Sequence, residues 1–145
     1  MKKYQPKITT LVTAIILCTS ISSHAFQDEG TVRIGSLEAQ TGIPAAYGIQ
    51  ALNGSKIAID EINAAGGVNV AGKKIKLQLT PSPNGYDPGA DSALTVALIK
   101  KLTFDDEVLL IKGTSRSQNT EVAFNYLNEM EKAGTPIVLM SSLAG

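Results

Sequence analysis

The stretch TVRIGSLEAQTGIPAAYGIQALNGSKIAIDEINAAGG, Thr31 to Gly67, decides the fold. Val32 to Leu37 is short and rich in β-branched and apolar residues, so it reads as a buried strand that breaks at Glu38-Ala-Gln-Thr-Gly42. A polar loop follows, then one long amphipathic helix from about Tyr47 to Ala65. Ala51, Leu52, Ser55, Ala58, Ile59, Ile62 and Ala65 recur at helical spacing and are expected on the buried face. Asn53, Lys56, Asp60 and Asn63 are expected on the other. Gly66-Gly67 ends the helix, because glycine enters the left-handed C-cap conformation without a steric penalty. A strand feeding a helix that packs back on it begins an α/β sheet, and such sheets bind ligands at the carboxyl ends of their strands.

The rest of the chain repeats that alternation. Val68 to Gly72 reads as a short turn, and Lys73 to Leu79 alternates at period two as a second strand. Thr80 to Tyr86 is a loop, since two prolines and Asn-Gly cannot continue a ladder. Asp87 is expected to cap a second helix with Pro88 at its first position. Its buried stripe is read as Ala90, Ala93, Leu94, Ala97, Leu98 and Leu102, with Lys100 and Lys101 at the negative end of its dipole. Asp105 to Glu107 is a turn, and Val108 to Ile111 is apolar on both faces, as a central parallel strand is. Lys112 to Gln118 is a loop. A third helix runs to about Ala133 with Val122, Ala123, Tyr126, Leu127 and Met130 inward, and a last strand is read at Ile137 to Met140. The expected fold is α/β: an open parallel sheet with helices on both faces.

Residues 1–25 read as a signal peptide. Lys2, Lys3 and Lys7 make a basic start, Leu11 to Leu17 an apolar run, and Ser23-His24-Ala25 a small-x-small cleavage site, which predicts export to the periplasm. Cys18 raises a lipid-anchor reading, but Leu17 is bulky where that motif wants a small residue. Cys18 and His24, the single cysteine and histidine, both lie in the leader. In residues 26–145 thiolate nucleophiles, imidazole bases, disulfides and Cys or His metal sites are therefore excluded. Removing the leader lysines leaves 10 basic against 13 acidic side chains, about −3, a surface unsuited to nucleic acid. Asp60 and Glu61 are adjacent and diverge by about 100° on a helix, so they make no acid/base pair. Asp105-Asp106-Glu107 lacks calcium-loop spacing, and no glycine pattern supports a dinucleotide site. No catalytic residue, metal or cofactor is expected.

The runs IGSLEAQTG, AAYG and NGSKIAIDEINAAGGV resemble the N-terminal signature of the periplasmic type I solute-binding proteins, the receptors of branched-chain amino-acid ABC transporters. The resemblance covers nearly all of the chain after the leader. It implies a binding protein rather than an enzyme, with a small amino acid or related compound as ligand and ABC permease subunits as partners. It also implies that the membrane is met only through the permease. Residues 26–145 are then expected to be an incomplete N-terminal lobe of a two-lobed protein.

The candidate ligand residues lie in loops after strands. Gly113 to Gln118 is rich in hydroxyls and backbone amides suited to a carboxylate. The resemblance makes Ser117 the carboxylate-binding serine, with Gly113, Thr114 and Ser115 in the same loop. Helix capping is the competing role: Ser115 and Gln118 form a Ser-x-x-Gln capping box, and Ser117 could cap one turn later. Arg116 stands where the family carries a small or apolar residue; it either pairs with an acidic ligand group or is simply solvated. Tyr47 matches an aromatic position that contacts the ligand, and ordinary packing at a helix start explains it equally well. Ser142, Leu143 and Ala144, with Ser141, occupy the terminal loop that holds the ligand's ammonium and carboxylate in the family. Leu143 and Gly145 depart from its pattern, which leaves room for a different carboxylate or amide.

Other functional classes make distinct demands. A receptor's ligand-binding domain needs a membrane anchor, whereas a cleavable leader releases the protein. A flavodoxin-like protein needs a phosphate loop, which is missing here. A remnant of a disrupted gene needs only the short length.

Overall fold

The computed structural model describes residues 30–108, 110–135 and 137–141. The predicted leader, residues 1–25, and the candidates Ser142, Leu143 and Ala144 lie outside the described residues. The elements are β1 (Thr31–Leu37), α1 (Ala45–Ala64), β2 (Val68–Val70), β3 (Lys73–Thr80), α2 (Ser92–Phe104), β4 (Leu110–Gly113), α3 (Ser117–Lys132) and β5 (Val138–Met140).

The sheet has the order β2-β3-β1-β4-β5. β3, β1, β4 and β5 run parallel, in register Gly35↔Thr80, Gly35↔Ile111 and Ile111↔Leu139. Val68 to Val70, expected as part of a turn, instead forms an antiparallel edge strand on β3 with Val68 opposite Ile75. The turn is shorter than the sequence suggested. Ala71 and Gly72 both take positive φ, the geometry of a two-residue hairpin, and Asn69 Oδ1 accepts from Gly72 N at 3.0 Å.

One face carries α1. The other carries α2 and α3, which pack on each other over Leu37, Ile99, Leu102, Val108, Ile111 and Ala123. α1 ends where the glycines require: Gly67 N donates to Ile62 O and Gly66 N to Asn63 O, with both φ positive. Only part of its expected stripe is covered. Leu52 is buried, while Ala58 and Ala65 are exposed, because α1 lies mainly along β3.

Asn63 reverses its assigned role. It is half-buried, donating from Nδ2 to Leu77 O at 2.8 Å and accepting Leu77 N on Oδ1 at 2.9 Å. Those backbone groups of β3 face away from β1 and beyond the short β2, so the side-chain amide completes a ladder that no strand among the described residues reaches.

α2 begins later than predicted. Its N-cap is Asp91, not Asp87; the Asp91 side chain accepts from Leu94 N at 2.9 Å. Its buried side is Thr95, Ile99, Leu102 and Thr103, whereas Ala90, Ala93, Leu94 and Ala97 are exposed. The threonines tolerate burial because each hydroxyl donates back to the carbonyl four residues earlier, Asp91 O and Ile99 O, at 2.8 Å. Lys100 and Lys101 lie over the rings of Tyr126 and Tyr86.

Candidate functional site

β1 sits between β3 and β4, and the chain leaves it toward β3 before crossing back to β4. The loops after β1 and β4 therefore part on opposite faces, and a crevice opens between them at the carboxyl edge of the sheet. An open groove of about 340 Å³ lies there, lined by Ile43, Pro44, Tyr47, Ala90, Ser115, Arg116, Ser117 and Gln118. That volume is within the range of small-molecule sites.

Four of the candidates meet in this groove. Tyr47 stands in the first turn of α1, 66% exposed. Ser117 is exposed as the first residue of α3. Ser115 is buried at the groove's base, and its Oγ accepts from Ala39 N at 3.3 Å, tying the β4 loop to the β1 loop. Arg116 is half-exposed and donates from Nη1 to Ala90 O at 2.7 Å.

Thr114 is elsewhere. It is fully buried beneath the groove, with Oγ1 2.6 Å from Thr120 Oγ1. Ser141 joins it from the β5 side, its Oγ donating to Thr114 O at 3.3 Å.

The predicted capping box does not form. Arg116 holds the cap position of α3 without a side-chain cap bond, because the Ser115 hydroxyl is turned toward Ala39. The first turn of α3 thus lacks a side-chain cap bond, and two of its residues, Ser117 and Gln118, line the groove.

The β3 loop supplies what sequence reading missed. Ala90 comes from it, and Asp87 anchors it by accepting Gln40 N at 2.7 Å and Gly89 N at 2.8 Å on Oδ1. Burial acts to raise the Asp87 carboxyl, but donation by Gln40, Thr41 and Gly89 outweighs it and holds the pKa below the ordinary carboxylate value. The available signal was topological: every parallel strand delivers its following loop to the same edge, β3 included. Below the groove, Lys112 Nζ pairs with the fully buried Glu38 carboxylate and donates to Ala51 O at 3.1 Å, joining β4, β1 and α1. Among the described residues, no cluster of acidic, His or Cys side chains could hold a metal ion.

Comparison with known proteins places this arrangement. The sequence profile of the family described as periplasmic binding protein matches residues 31–145. The chain belongs to the periplasmic binding protein family. Members of this family bind solutes and are not enzymes. An amino acid binding protein of Pseudomonas aeruginosa is 32% identical over 119 residues, covering 82% of this chain and 29% of that protein. The Leu/Ile/Val-binding protein BraC3 of Rhizobium johnstonii is 33% identical over 86 residues, 59% of this chain and 22% of that one. Among solved structures, the branched-chain amino acid transporter substrate binding protein LivJ of Streptococcus pneumoniae, in complex with isoleucine, superposes with a TM-score of 0.58. It is 29% identical, and the match covers 79% of this chain and 30% of LivJ. The chain thus spans less than a third of the length of these binding-protein relatives.

Proposed function

We propose that this chain is the N-terminal, ligand-receiving part of the substrate-binding component of an ABC importer. Its ligand is a small amino acid or a related carboxylate or amide. Family membership supports the class, and one observation carries the site: Tyr47 from the β1 side meets Ser115, Arg116 and Ser117 from the β4 side in a single groove. The hydroxyls and first-turn amides of α3 take the ligand's carboxylate, and Tyr47 lies against its body. Residues 1–25 direct export and are cleaved after Ala25, so the protein works in the periplasm. Residues 26–145 form an incomplete N-terminal lobe, and a second lobe closes over the ligand to give the form that the permease recognises.

The test compares two proteins by calorimetry with leucine and related amino acids. One is this chain, and the other is this chain extended by a complete second lobe. The chain alone holds half of the contacts and is expected to bind more weakly than micromolar, while the extended protein reaches micromolar affinity. A micromolar dissociation constant for the chain alone, or silence from the extended protein with every ligand tried, overturns the reading. Intact mass of the exported product, matching a start at Phe26, checks the leader.

A further inference from the structure

Arg116 is the single charged side chain lining the groove among the described residues, and none of their carboxylates ion-pairs with it. Its guanidinium is nonetheless held in place. Nη1 donates to Ala90 O at 2.7 Å and lies 3.4 Å from Asn119 Oδ1. Asn119 is itself fully buried, with Nδ2 on Gly89 O at 3.2 Å and Oδ1 accepting from Ser92 Oγ at 3.3 Å. Both acceptors on Arg116 are neutral, so they orient the fork and leave its charge uncancelled. The planar group keeps its remaining N–H donors in a fixed geometry suited to a carboxylate.

The other groove residues set the shape of what could sit beside that cation. Ile43, Pro44 and Tyr47 offer an apolar and aromatic lining, and Ser115 and Ser117 offer hydroxyls. A neutral zwitterion brings an ammonium as well as a carboxylate toward Arg116, and the two effects oppose. An acid of net negative charge brings more attraction than repulsion, whether or not it also carries an ammonium. A donor already oriented before binding loses little rotamer freedom when the acid arrives.

We propose that Arg116 is a specificity-determining residue that biases this groove toward small organic acids of net negative charge over neutral zwitterionic amino acids. The inference rests on the groove being the ligand site. The groove is open and salt screens the contact, so the expected preference is about fivefold, the scale of one exposed ionic contact.

The test is a set of NMR titrations of the ¹⁵N-labelled chain, at constant ionic strength, with glutamate, benzoate and leucine into the millimolar range. The signals followed are the Arg116 Nε–H and the amides of Tyr47, Ser117 and Gln118. Glutamate and benzoate are expected to shift these signals with apparent affinities about fivefold above leucine. Arg116→Gln is expected to bring the three ligands together, while Arg116→Lys keeps part of the preference. Leucine binding at the groove as tightly as the acids, or an unchanged preference in Arg116→Gln, overturns the proposal and leaves the site reading standing. No shift at these residues with any of the three, both in this chain and in the chain extended by a second lobe, overturns both.

Discussion

Lys112 on β4 and Glu38 at the end of β1 form an ion pair whose carboxylate is fully removed from solvent. It lies directly under the strand ends that carry the groove loops, and the same ammonium holds Ala51 O of α1. Lys112→Met leaves a buried carboxylate without its counter-charge and is expected to cost about 3–5 kcal/mol. Adding Glu38→Leu removes the stranded charge and is expected to recover most of that loss. Urea unfolding of both variants decides it; a double variant no more stable than Lys112→Met refutes the argument.

The Asn63 clasp predicts a local effect. Asn63→Ala frees both backbone groups of Leu77, at a cost of about 1–3 kcal/mol. Hydrogen exchange at the Leu77 amide should accelerate more than at its β3 neighbours that bond to β1. Uniform acceleration along β3 would show global loosening instead.

Two glycines of α1 should answer the same substitution with opposite signs. A Cβ at Gly48 would stand 1.9 Å from the Ala39 carbonyl oxygen, so Gly48→Ala must push α1 away from the β1 loop. It is expected to destabilise by at least about 1–3 kcal/mol. Gly54 has nothing within 4 Å of that position, so Gly54→Ala gains helix propensity, about 0.5–1 kcal/mol. Thermal melts of the two variants should move in opposite directions.

Asp87 gives a pH dependence. Its folded pKa is depressed, so the ionised form stabilises the fold above the unfolded value near 4. That contribution is lost as pH falls through the lower folded value. Asp87→Asn is expected to be less stable at pH 6 and to lose less on acidification below about pH 4. Parallel acid limbs for the two proteins in urea midpoints measured from pH 6 to pH 3 would contradict it.

The sequence by itself determined the alternation of strands and helices, the Gly66-Gly67 stop and the absence of histidine and cysteine from residues 26–145, because periodicity, chirality and composition are local properties. A hydroxyl-rich loop after an apolar strand pointed to Ser115, Arg116 and Ser117, while the ligand roles of Ser117 and Tyr47 came from the resemblance to the solute-binding family. Only the tertiary structure decided that these four share one groove, while Thr114 lies beneath it. Strand order is a matter of long-range pairing, and it places β4 beside β1 across more than seventy residues of chain. The same holds for single side chains with two uses. Asn63 and Asp87 are polar residues that local reading sends to solvent or to a helix cap. Unpaired backbone groups on a distant strand or loop claimed them instead.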